Sequence, residues 1–396
     1  MPELSRADHN CTPPRIEIPR EYNAAYDLVE RNLQAGRGAK VLFRDDAGSI
    51  TYAQFAERAN RFGSGLLAMG LRMEDRVLLA LHDTIDFPTA FLGAIRAGII
   101  PVAVNTLLTT QDYRFMLSDS RARALIVSKA LLPQFQPILA ELPFLEHVIV
   151  SGDNFNAVLD KGRPQLAPAP TLRDDACFWL YSSGSTGAPK GTVHAHSSMI
   201  ETAELYGRGV LGLEETDVVY SAAKLFFAYG LGNSLSFVMA VGASAVLMAG
   251  RPAPAAVFKR LTENKPTIFY GVPTLYAGML ASPEFPKRGD LALRICVSAG
   301  EALPPQIALS FKDRTGLDIL DGIGSTEMLH IFLSNHPKAM RHGTTGKAVP
   351  GYELRLVDEN GVPVKQGELG ELEICGSTSA LYYWNNRART RATFVG

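Results

Sequence analysis

The chain of 396 residues has no surplus of either charge: 39 Lys and Arg stand against 40 Asp and Glu, for a formal net charge of −1. No basic stripe follows from that balance, which argues against a nucleic-acid partner. Cysteine is scarce, and Cys11, Cys177, Cys296 and Cys375 form no C-x-x-C pair. A structural zinc site or a redox dithiol is therefore not expected, and the four read as reduced core residues of a cytoplasmic protein. Met1 to Arg20 mixes both charges with prolines and holds no apolar run, so it is not a secretory signal. The 35 glycines and 24 prolines are aperiodic, which excludes a collagen-like repeat.

One uncharged run is long enough to span a bilayer, the 26 residues from Leu225 to Gly250. Asn233, Ser234, Ser236, Ser244 and four glycines interrupt it. A buried helix followed by a short strand after Gly242 is expected there, with no membrane span.

Hydrophobic residues make up 46% of the chain, enough for a large core in two or three units. Short apolar runs predict strands at Val77–Leu81, Ile100–Val104, Ala124–Val127, His147–Val150, Cys177–Tyr181, Val218–Tyr220, Ala245–Met248, Thr267–Tyr270 and Arg294–Val297. Amphipathic segments lie between them. Thr51 and Gln54 form a capping box for a helix ending near Gly70, and Thr110–Leu117, Ser197–Leu211, Pro254–Asn264 and Pro304–Thr315 have similar signals. This alternation predicts an α/β fold of two mostly parallel sheets flanked by helices. The proline-rich stretch 163–171 reads as a connector, giving units 1–170 and 171–340. Residues 341–396 alternate with period two around Asn360-Gly361 and predict a smaller β-rich subdomain with a turn there.

The densest chemistry lies in Ser182-Ser183-Gly184-Ser185-Thr186-Gly187-Ala188-Pro189-Lys190-Gly191, between two strands. Bare backbone N–H groups, hydroxyls and a lysine suit a polyphosphate, although a flexible Gly/Ser hairpin has the same composition. Pro189 stands where a Walker A loop needs glycine, and no G-x-S-x-G nucleophile elbow occurs. Gly207–Gly212 spells a dinucleotide fingerprint but ends a helix, so it carries no weight.

That loop resembles the signature of the acyl-adenylate-forming superfamily, which includes acyl-coenzyme A synthetases, nonribosomal adenylation domains and luciferases. Ser298–Pro304, Asp321–Glu327 and Gly370–Gly376 with Tyr383-Trp384 resemble further motifs in the family's order. The resemblance implies a distorted barrel for the β-rich end and ATP, Mg²⁺ and coenzyme A as reactants or cofactors. It places the nucleotide at Ser182, Ser183, Gly184, Ser185, Thr186, Gly187, Lys190, Gly300, Glu301, Asp321, Gly322 and Thr326. Catalysis falls to Thr186, Lys190, Thr326 and Glu327, with Glu327 holding magnesium. Taken alone, Glu327 reads equally as a solvated loop acid and Thr326 as a helix N-cap.

The uncharged aromatic segment Leu225–Asn233 occupies the family's acyl-pocket position and suits a flat ring. With Gly324–Ile331 it most resembles benzoate–coenzyme A ligases. The resemblance implies an aryl carboxylate substrate and a pocket shaped by Phe227, Ala228, Tyr229, Ala299, Gly324, His330 and Ile331. His330 could face the carboxylate or be a satisfied loop residue, and Phe226 could be plain core. A hydroxybenzoate ligase, a carrier-loading adenylation domain and a truncated, non-catalytic aryl-carboxylate-binding paralogue are the alternatives. The resemblance implies a ribose-binding Tyr-x-x-Gly-Asp motif and a C-terminal domain that are not among these 396 residues and are expected in the full protein, so impaired turnover of this chain alone is expected. Oligomeric state, a homodimer included, is left open.

Overall fold

The computed structural model describes residues 3–182 and 189–395. All nine apolar runs form strands, their ends shifted by a residue or two. Seven strands make one sheet in the order Tyr382–Tyr383, Lys190–Ala195, Ala176–Ser182, Ile100–Ala103, Arg76–Ala80, Ala124–Ser128, His147–Ser151. Nine make the other: Lys347–Ala348, Ile331–Ser334, Ile319–Gly324, Ile295–Ser298, Ile268–Gly271, Val218–Ser221, Ser244–Val246, Val41–Arg44, Ser49–Thr51. Central pairs are parallel, as for Arg76–Ala80 with both neighbours, and so is the His147–Ser151 edge; the other three edges are antiparallel, as for Lys190–Ala195 with its neighbours. Helices cover the faces, and the central strands are buried along their length.

The sheets exchange strands across residue 170. Val41–Arg44 and Ser49–Thr51 complete the nine-stranded sheet, whereas Ala176–Ser182 and Lys190–Ala195 complete the seven-stranded one. Val102 and Ala103 pair with Trp179 and Leu180 across the proline-rich connector, so the connector joins partners within one sheet. Within 341–396, Glu353–Val357 and Glu371–Cys375 form a separate antiparallel ribbon, and the remaining strands join the two sheets. Asn360-Gly361 does not join the ribbon directly. It lies inside the loop 358–370, where the Asp358 carboxylate accepts hydrogen bonds from Asn360 N and Val362 N, both at 2.9 Å.

The uncharged run divides at Gly242 as its pattern predicts. Ala228–Leu231, Gly232–Ser236 and Phe237–Val241 are continuous helix, with a π-helical middle. Gly242 ends it at φ 82°, and Ser244–Val246 follows as a strand. No helix among the described residues is long and apolar enough to cross a membrane. The cysteine expectation needs correction: Cys177 and Cys296 are buried on strands, but Cys11 is exposed in the loop between Arg6–Asp8 and Arg15–Glu17, and Cys375 is exposed at the end of Glu371–Cys375.

The capping box forms as read: Thr51 Oγ1 accepts from Gln54 N at 3.3 Å, and Gln54 Oε1 accepts from Thr51 N at 2.9 Å. The helix it opens, Tyr52–Ala68, crosses Asp86–Arg96 at Gly63 and Gly93. A Cβ on Gly63 would overlap the Gly93 carbonyl oxygen and lie 2.9 Å from Leu166 Cδ2. Gly63→Ala should therefore lose about 1–3 kcal/mol in urea unfolding through forced separation of the helices, and an unchanged midpoint would show that they can part freely.

Candidate active site

Three neighbouring parallel strands, Val218–Ser221, Ile268–Gly271 and Ile295–Ser298, and the adjoining Ile319–Gly324 send their C-terminal ends toward one cavity of about 710 Å³. Such strand ends are where open α/β sheets bind ligands, because the loops leaving them converge there. The walls include Phe227, Ala228, Tyr229, Ala299, Gly324, His330 and Ile331, together with Gly300 and Thr326. Phe227 is 50% exposed, the largest apolar surface of the aromatic segment, and its ring lies 4.5 Å from that of Phe226. Phe226 itself is mostly buried and also borders the cavity, so it is both core and wall.

His330 is fixed as a neutral side chain. Burial lowers its pKa to about 3. Nε2 lies 3.2 Å from the Tyr229 carbonyl and 3.1 Å from Asn233 Oδ1, so the proton sits on Nε2 and is donated to them. Tyr206, Tyr229 and Phe237 surround the ring at 4.5–5.6 Å. His330 thus presents a neutral ring to the cavity and supplies no positive charge for a substrate carboxylate.

Beyond Thr326 lies a compact charged cluster. The Glu327 Oε1 atom accepts from the Tyr383 hydroxyl at 2.8 Å and from Ser182 Oγ at 3.4 Å. Lys190 Nζ stands 3.8 Å from the same oxygen and 4.6 Å from the centre of the Tyr383 ring. Burial and the adjoining Glu327 carboxylate raise the pKa of Tyr383, which keeps the phenol a donor. The strand register sets this grouping: Ser182 pairs with Lys190, and Tyr383 pairs with Thr192 on the far edge.

The turn carrying Thr326 and Glu327 is pinned from three sides. His194 Nε2, on the same strand as Lys190, lies 2.8 Å from the Thr326 carbonyl. Ala380 N donates to the Glu327 carbonyl at 2.7 Å, and Thr378 Oγ1 to that of Met328 at 2.9 Å. Leu329 closes the turn at φ 66°. No helix starts at Thr326, and Glu327 is only 22% exposed in its side chain, so the readings as N-cap and solvated acid both fail.

Other nucleotide candidates are more dispersed. Asp321 is buried in the middle of its strand, where burial raises its pKa to about 6, and Gly322 beside it is buried too. Neither borders the cavity, and Glu301 is exposed outside it. Gly300 does border it and takes φ 93°, a left-handed turn that suits glycine. Ser183, Gly184, Ser185, Thr186 and Gly187 lie outside the described residues. Sequence reasoning missed His82 and Lys224, which also border the cavity, and the hydroxyl of Tyr383. Tyr383 stood within a quoted motif, whereas nothing in the pattern around His82 or Lys224 marks them.

Among the described residues no three His, Cys, Asp or Glu side chains gather as metal ligands. Mg²⁺ is commonly held by one or two carboxylates plus substrate phosphates, and a single glutamate beside the Ser182 hydroxyl fits that mode.

Residues 29–384 match the model of the family described as AMP-binding enzyme. The benzoate–CoA ligase of Thauera aromatica is 60% identical over 402 residues, spanning 100% of this chain and 76% of that protein. A 4-hydroxybenzoate–CoA/benzoate–CoA ligase of Rhodopseudomonas palustris is 48% identical, over 95% of this chain and 71% of its own length. Among solved structures, a benzoate CoA ligase from Burkholderia xenovorans LB400 superposes with a TM-score of 0.91 at 52% identity, covering 95% of this chain and 76% of that one. With the family model spanning most of its length, the chain belongs to the AMP-binding enzymes.

Proposed function

We propose that the chain serves an ATP-dependent benzoate–coenzyme A ligase. A carboxylate resists attack by a thiol because its oxygen is a poor leaving group. Attack of the benzoate oxygen on the α-phosphorus of ATP forms benzoyl-AMP and releases diphosphate. The coenzyme A thiolate then attacks the acyl carbon, forming the C–S bond and releasing AMP. The observation that carries this reading is the aromatic wall Phe226–Tyr229 of a cavity that reaches Thr326, the neighbour of Glu327, which has Lys190 at 3.8 Å. The aromatic wall suits the ring, and the Lys190–Glu327 pair beside Thr326 supplies charge for the phosphates.

In this reading Phe227, Ala228, Tyr229, Ala299, Gly324, His330 and Ile331 enclose the ring. Lys190 draws in phosphate oxygens, Thr326 donates its hydroxyl, and Thr186 acts from the signature loop. Ser182, Ser183, Gly184, Ser185, Gly187, Gly300, Glu301, Asp321 and Gly322 are assigned to the nucleotide. Mg²⁺, when bound, would neutralise phosphate charge, and Glu327 would hold it. A cytoplasmic location agrees with four free cysteines and with ATP and coenzyme A as reactants.

The test is calorimetric titration with a benzoylsulfamoyl adenosine, a stable benzoyl-adenylate mimic, beside its 4-hydroxybenzoyl, acetyl and long-chain counterparts. It reads the pocket without requiring turnover. The benzoyl form should bind at least about tenfold more tightly than the acetyl and long-chain forms, since the wall Phe226–Tyr229 offers aromatic faces to a ring. Preference for the 4-hydroxybenzoyl form would move the substrate to hydroxybenzoates, and preference for an aliphatic form would overturn the aryl assignment.

A further inference from the structure

His82–Asp86 leave the strand Arg76–Ala80 and pass along the junction of the two sheets. His82 borders the aryl cavity on one side, and Asp86 pairs with Arg58 at 2.6 Å on the other. Asp83, between them, is 4% exposed. Its two carboxylate oxygens lie 3.2 and 3.3 Å from the backbone nitrogen of Leu225. Leu225 is the residue immediately before the cavity wall Phe226–Tyr229.

The second sheet holds the other side of this loop. Lys224 Nζ donates to the Met248 and Gly250 carbonyls just beyond the strand Ser244–Val246, and Gly250 also borders the cavity. Lys224 is the cation that acts on Asp83, at more than ion-pair distance. A buried carboxyl is costly unless its acceptor oxygens are satisfied. The backbone contact that both Asp83 oxygens share is the Leu225 N–H, at the start of the aromatic wall.

Building on the benzoate reading, we propose that Asp83 is a positioning residue for the aryl group, holding the Leu225 N–H so that Phe226–Tyr229 stand at the spacing of one flat ring. The contact reaches from one sheet to a loop of the other. It acts on the acyl part of the adenylate and leaves the nucleotide part untouched.

Wild type, Asp83→Asn and Asp83→Leu would be titrated with benzoylsulfamoyl adenosine and with AMP. Asp83→Leu fills the volume without an acceptor and should weaken the mimic by about tenfold while AMP changes less than about twofold. Asp83→Asn keeps an acceptor oxygen and should recover the mimic to within about threefold of wild type. A parallel loss of both ligands, an unaltered mimic affinity in Asp83→Leu, or no recovery in Asp83→Asn would overturn the proposal. If Asp83→Leu does not fold, Asp83→Ala replaces it. Amide exchange at Leu225, faster in Asp83→Ala than in wild type, reads the contact directly even if wild type binds no benzoyl mimic, the result that would instead remove the benzoate assignment. Unchanged exchange would overturn the positioning role.

Discussion

Gly232→Ala should lower the affinity for benzoylsulfamoyl adenosine by about 100-fold, equivalent to about 3 kcal/mol. A Cβ there would overlap His330 Cδ2, and would lie 2.8 Å from Nε2 and 3.2 Å from Phe237 Cζ. Gly232 opens the π-helical stretch Gly232–Ser236, where the widened turn lets a neighbouring side chain approach the backbone. His330 cannot retreat toward Tyr206, Tyr229 or Phe237, which already surround it. It must move into the cavity it borders, breaking its bonds to the Tyr229 carbonyl and Asn233 Oδ1. Overpacking costs about 1–3 kcal/mol, and an unsatisfied buried donor a similar amount. Gly289→Ala is the control, since a Cβ there meets nothing within 4 Å and its φ is not left-handed. A mimic affinity within about threefold of wild type would mean that His330 does not set the pocket's depth.

Much of this geometry was legible in the sequence, and the reasons for what was not are physical. Buried parallel strands are written as short apolar runs, so all nine could be read. Val41–Arg44 and Ser49–Thr51 escaped because they sit at a half-exposed edge, where Arg44 and Ser49 interrupt any apolar run. Ile319–Gly324 was visible as a motif, but its glycines hid it as a strand. The exchange of strands across residue 170 has no local signal, since partner choice is settled by packing. The pocket loops were legible because their residue types are peculiar: an uncharged aromatic stretch, and a Gly-Ser-Thr-Glu turn. The neutrality of His330 was not, because it follows from burial against side chains far apart in sequence. Asp83 was invisible for the same reason, since Leu225 lies 142 residues away.

Glu327→Gln should change ATP affinity in opposite directions with and without magnesium. In EDTA, the Glu327 carboxylate repels the triphosphate, and Lys190 at 3.8 Å is the cation that offsets it. Removing the carboxylate charge there should strengthen metal-free ATP binding by about threefold, a surface-to-interior scale of charge interaction at these distances. With saturating Mg²⁺ the same substitution takes away the hard oxygen ligand, and binding should weaken by about tenfold or more. Lys190→Met gives the complementary sign. It leaves Glu327 without its cation, so metal-free ATP binding should fall by about tenfold, and adding Glu327→Gln to it should recover more than the about threefold that Glu327→Gln gains alone. Tyr383 keeps the geometry comparable across the set, because its hydroxyl can donate to a Gln oxygen as it does to Glu327 at 2.8 Å. A Glu327→Gln protein that weakens ATP equally in both conditions would place the metal elsewhere. An additive double variant would show that Lys190 and Glu327 do not act on the same phosphates.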